Sequence, residues 1–173
     1  MPVRPRVLHS DSVYRLACWH NAVLVDVAGN IDLHHMKRLG RAYRELLVEY
    51  PNGILSCAII RPGVPIAAAD ARTESARFMK ELGESLLRVA MLIEDQGVLA
   101  QVMQTVIRGI NVLARNPKLM LFRSLDEAAS SLAPLVATAP GSDVASELLA
   151  AIALVRSDYV PETAPRQPSA AGR

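Results

Sequence analysis

The residues of this chain best suited to chemistry are few and polar, and they fall where apolar runs end. Asn30 and Asp32 follow the run "AVLVDVA", Arg61 follows "ILSCAII", and Glu94 and Asp95 follow "LLRVAMLI". Gathered at the carboxyl ends of parallel strands, these groups would form a small polar ligand site, because open α/β sheets take ligands at that edge. Arg61 is expected to pair there with Glu94 or Asp95. The same residues also serve as helix caps and a surface ion pair, which need no ligand. No catalytic residue is assigned, since no Ser-His-Asp or Cys-His arrangement has a sequence signature here.

Other chemistries are argued against by spacing. The stretch "VLVDVAGNIDLHHMKRLGRAYRELL", residues 23–47, has the strand–turn–helix form of a phosphate cradle. It carries one glycine, Gly29, so both the dinucleotide fingerprint and the phosphate-loop motif fail. His34 and His35 are adjacent, so on a helix they point about 100° apart and chelate one metal ion poorly. Cys18 and Cys57 sit singly inside apolar runs, with no C-x-x-C, and read as buried thiols. Neither a metal nor a cofactor is expected.

The elements that must position these groups follow from periodicity. Residues 13–19 and 22–28 read as strands of a hairpin turning at His20-Asn21. A helix follows, with Asn30 or Asp32 as its cap and Leu33, Met36, Leu39, Tyr43, Leu46, Leu47 and Tyr50 as its inward stripe. Its outer face carries His34, Lys37, Arg38, Arg41 and Arg44, a basic stripe diluted by Glu45 and Glu49 and read as solvated. "ILSCAIIR" is a strand apolar on both faces, as in a covered sheet. A second helix starts with Asp70 as cap. "LLRVAMLIE" is a strand, a third helix spans about 97–115, and "LMLFRS" is a short strand. The helix of "SLDEAASSLAPLV" opens on a capping box of Ser124 and Glu127. Strands alternating with helices imply an α/β domain with a mixed, mainly parallel central sheet, an N-terminal hairpin and helices on its faces.

The chain has 173 residues, 51% hydrophobic and 21% charged, with a net charge of +2. That is a globular composition with room for one domain, and its charge points to no nucleic acid. The start "MPVRPRVLHSDS" lacks the apolar core of a signal peptide, and no apolar run reaches the ~18 residues of a membrane span, so a cytoplasmic protein is expected. Residues 137–173 read as a linker, a short amphipathic helix over 142–156 and a polar tail. Ser142 is its expected cap, and Val144, Leu148, Ile152 and Val155 are its stripe. The third helix is apolar nearly all round, so something beyond one sheet face should cover it. Val98, Val102, Val106 and Ile110, with Leu148 and Ile152, are the expected partner-binding residues, and a homodimer is the expected assembly.

The element order, with "VLVDVAGNIDLHHMKRL" as strand–turn–helix entry and "SLDEAASSLAPL" as closing helix, resembles the STAS domain family of sulfate transporters and anti-sigma-factor antagonists. The resemblance covers residues 10–136. It implies a non-enzymatic, regulatory interaction domain that binds itself or a protein partner. Regulatory members carry Asp-Ser-x-Gly at the helix after the central strand. Here that region reads "RPGVPIAAADARTESARFM", without the motif, and Ser75 is the nearest phosphorylation candidate, in a different frame. Two other functions are kept open: a carrier of a small apolar ligand or lipid beside the sheet, and an enzyme using the polar edge. An apolar pocket would mark the first, and convergent polar groups in a cleft the second.

Overall fold

The computed structural model describes residues 4–94, 101–102, 104–105, 108–109, 112, 118–138, 143–157 and 159. Six strands form one sheet in the order β1-β2-β3-β4-β5-β6: β1 (Arg6–Ser10), β2 (Tyr14–Trp19), β3 (Ala22–Val27), β4 (Ile54–Ile60), β5 (Leu86–Ile93) and β6 (Leu119–Phe122). β1, β2 and β3 pair antiparallel. β3 to β6 pair parallel. The α/β class and the mainly parallel sheet agree with expectation. β1 is an addition. It is an edge strand exposed along most of its length, so it lacks the buried alternation that marks a strand in sequence.

The hairpin turn holds because Asn21 is buried and fully used. Its Nδ2 donates to the carbonyls of Gly53 at 3.1 Å and Leu135 at 3.2 Å, and its Oδ1 accepts from the Ala137 N–H at 2.8 Å. One short side chain thus ties the turn to the residues before β4 and to the segment at 135–137.

Four helices have described bounds: α1 (Leu33–Glu49), α2 (Ala69–Leu82), α3 (Leu125–Leu132) and α4 (Val144–Ser157). The sheet has an apolar core on each face. On one, Tyr14, Val23 and Val25 pack with Tyr43 and Leu46 of α1 and Phe78 and Met79 of α2. On the other, Trp19, Leu24 and Leu55 pack with Leu132 of α3 and Leu148, Ile152 and Val155 of α4. Strands buried on both sides explain the apolar run of β4.

The helix starts of α1 and α3 agree with expectation. Asp32 caps α1, accepting from the His35 N–H at 2.9 Å. Ser124 caps α3, but Glu127 reaches back to the Arg123 N–H at 3.1 Å and not to the cap residue itself. α2 departs from expectation. Its cap residue is Ala68, which has no side-chain oxygen, and Asp70 sits inside the first turn. The expected cap Ser142 lies outside the described residues. Asp143 takes that role, accepting from the Ser146 N–H at 3.3 Å.

Candidate functional site

The polar edge expected from sequence forms differently. Arg61, just past β4, turns to Asp26 and not to Glu94. Its Nη2 donates to Asp26 Oδ2 at 2.6 Å and its Nε donates at 3.1 Å. Asp26 projects from β3 on the α4 side and is 1% exposed. Hydrogen bonding to Asp26 raises the Arg61 pKa further, so the guanidinium stays charged. Glu94 receives Arg156 of α4 in two contacts of 2.8 Å. The Arg61 guanidinium also lies 5.0 Å from the centre of the Tyr159 ring. The correction has a physical reason: a carboxylate buried inside a strand has the stronger claim on the nearest guanidinium. Asp26 went unassigned from sequence, and its signal was a lone charge inside "AVLVDVA". Asn30 is exposed, and Asp32 is used as a cap. Asp95 lies outside the described residues. Asp26 and Glu94 therefore anchor α4 to the sheet through Arg156.

The same observation corrects the partner surface. Leu148 and Ile152 are 0% and 2% exposed, because α4 docks on its own domain. They are closed to a partner. Val98, Val106 and Ile110 lie outside the described residues. Val102 is 44% exposed, and Gln101, Gln104, Thr105, Arg108, Gly109 and Val112 around it are helical and exposed. Ser75 is partly buried, and its hydroxyl points to the Met79 sulfur at 3.8 Å.

A second polar cluster joins β1 and the following loop to α1. His9 Nε2 lies 2.7 Å from Asp11 Oδ2 and 2.6 Å from Arg38 Nη1, and Arg38 Nη2 lies 2.9 Å from His34 Nε2. Burial works against the Asp11 charge, but His9 and the backbone N–H groups of Tyr14 and Val13 outweigh it and hold its pKa below the ordinary carboxylate value. Tyr14 lies beside this cluster, its ring tilted against His9 at 5.1 Å and edge-to-face with His35 at 5.7 Å. Its buried hydroxyl has no hydrogen-bond partner in good geometry among the described residues. Burial pushes this phenol up to about 12, and the nearby Arg38 lowers it without satisfying it. Among the described residues no group of three or more His, Cys, Asp or Glu side chains could hold a metal ion.

Tyr14 and His35 also line a cavity of about 150 Å³ between the sheet and the helices α1 and α2. Val25, Val27, Ala58 and Met91 make its floor, and Met36, Leu39, Phe78 and Met79 its roof. Val64 to Ala67 close one side. The wall is overwhelmingly aliphatic and aromatic carbon. Deep in it, the Tyr43 hydroxyl and the Ser56 hydroxyl hydrogen-bond each other. Ser56 is 0% exposed, and burial pushes the Tyr43 phenol up to about 12. Apolar cavities of this size take up a single ring. The acyl chains of a lipid need far more space than this.

Neither cleft at the carboxyl edge matches this enclosure. One runs along Arg61, Leu149 and Arg156, the other along Glu94, Phe122 and Asp126, and both lie open on the surface.

No family model matches the chain, and no curated protein matches it. Among the described residues, no helix is long and apolar enough to cross a membrane.

Proposed function

We propose that this protein is a non-catalytic α/β binding domain that holds a small, largely apolar molecule between α1, α2 and the sheet. The cavity of about 150 Å³ carries this reading. Interiors pack closely, and a void of that size forfeits contacts on all its walls unless something fills it. The polar edge gives no comparable support to an enzyme, since its charges pair with one another across α4. In keeping with the STAS-like resemblance, ligand occupancy would serve a regulatory purpose, probed by a protein partner. The test is an NMR titration of the labelled protein with toluene, beside native mass spectrometry of the fresh preparation. Saturable shifts at Ala58, Met91 and Met79, or a retained small mass, are expected. Unmoved resonances at those positions and a bare protein mass would count against the reading.

A second reading, a module that pairs with its own copy in the cytoplasm, draws on Val102 and Val112, which are 44% and 76% exposed. Light scattering at high micromolar concentration tests it, and a monomeric mass would remove it.

A further inference from the structure

The deep hydroxyl pair says what kind of molecule fits. Tyr43 and Ser56 each carry one O–H proton and can each accept. Between them they make one hydrogen bond, in which one hydroxyl is the donor. The proton of the other hydroxyl then has no acceptor among the described residues. Both residues line the cavity, and both are buried, at 4% and 0% exposure. A buried donor without an acceptor is unfavourable, and the same low polarity that makes it so strengthens any bond it does make. Among the cavity's other ionisable side chains, Tyr14 has a hydroxyl of its own with no partner among the described residues, a second donor to an acceptor-bearing ligand. His35 belongs to the cap of α1, and Arg72 donates to the Ala67 carbonyl at 2.7 Å.

We propose that the cavity selects a neutral molecule about one ring in size that bears a hydrogen-bond acceptor, such as a ketone, and that this acceptor takes the spare proton of the Tyr43–Ser56 pair. The proposal rests on the cavity being a ligand site and adds the class of ligand. Charge argues for neutrality. An anion at that depth would be stripped of water, and the lining arginine, Arg72, is already bonded to the Ala67 carbonyl. A pure hydrocarbon would fill the space but leave the proton unpaired.

Three probes of like shape separate the outcomes: methylenecyclohexane, cyclohexanone and cyclohexanecarboxylate, each titrated into the full chain. Cyclohexanone should bind with its carbonyl stretch shifted below the value in an alkane solvent. The Tyr43→Phe, Ser56→Ala double variant should lose about fivefold in ketone affinity, the size of one net hydrogen bond, and keep its hydrocarbon affinity. If that variant does not fold, the carbonyl stretch in a Tyr14→Phe protein, which keeps the pair and lacks the other unpartnered phenol of the cavity, decides alone. An alkane-like stretch, equal losses for both neutral probes, or tighter binding of the carboxylate would overturn the proposal while leaving the cavity a ligand site. Failure of all three probes to bind would overturn both.

Discussion

Arg156 meets Glu94 through two parallel contacts, Nη1 to Oε1 and Nη2 to Oε2, each 2.8 Å long. Sixty-two residues separate them in the chain. The pair fixes the end of α4 to the end of β5, and its Nε approaches Asp26 at 3.7 Å. Arg61, the residue after β4, completes the set. One buried carboxylate thus faces two guanidinium groups, and the second carboxylate balances them. The arrangement decides which surface α4 covers.

Arg61→Met should therefore be costly. Asp26 is 1% exposed and would keep only the longer contact to Arg156. Stranding one partner of a buried pair costs about 3 kcal/mol or more. The urea midpoint should fall without a change in slope. Adding Asp26→Leu to Arg61→Met should recover most of the loss, because no buried charge is then left over. A double variant as unstable as the single one would show that Asp26 does more than pair.

Truncation after residue 142 should lower the melting temperature and redden the fluorescence of Trp19. Trp19 is 2% exposed and belongs to the core that α4 covers. Removing α4 also removes Leu148, Ile152 and Val155, each worth about 1.5–3 kcal/mol when fully buried, against the ordering cost of the helix. Unchanged melting and emission would show that α4 adds nothing to the fold.

How much of this could be read beforehand varies with the physics involved. Caps are local, so Asp32 and Ser124 were found by residue type and spacing. The alternation of strands and helices is local too, and it led to the sheet class. The partner of Arg61 is not local. It follows from the parallel register, which sets Asp26 opposite Ile59, two residues before Arg61. No pattern in one strand encodes that register. The docking of α4 in cis depends on the same pair of ends. The cavity was least legible, because a void is what remains after side chains on seven elements have packed.

Stability should fall in acid through Asp11. Its folded-state pKa is held below the unfolded value of about 3.9. The folded protein then binds fewer protons than the unfolded one, so stability rises with pH across that range. The contribution is fully present above the unfolded pKa and is lost as pH drops through the lower folded value. Glu74, held down by its hydrogen bond to Arg77, acts in the same direction. Urea midpoints measured from about pH 5 to pH 3 should decline, and Asp11→Asn should make the decline shallower. An Asp11→Asn protein with the parent's slope would remove Asp11 from the explanation.

Filling the cavity offers the sharpest contrast, because two neighbouring alanines should answer oppositely. Ala58 in β4 lines the void, while Ala90 in β5 is 0% exposed within the core facing α3 and α4. A leucine at either position adds three carbons. At Ala90 these have nowhere to go, and overpacking costs about 1–3 kcal/mol. At Ala58 they enter a space of about 150 Å³ and gain dispersion contacts that the empty wall lacks. Ala58→Leu should therefore change stability by less than about 1 kcal/mol in either direction, as space-filling changes do. It should also abolish toluene binding, since the added side chain occupies the ring's place. Denaturation and the toluene titration on the same pair of variants measure both effects. If Ala58→Leu is as destabilising as Ala90→Leu, the space beside Ala58 is already filled by protein. If it is tolerated but toluene still binds, the ligand lies elsewhere.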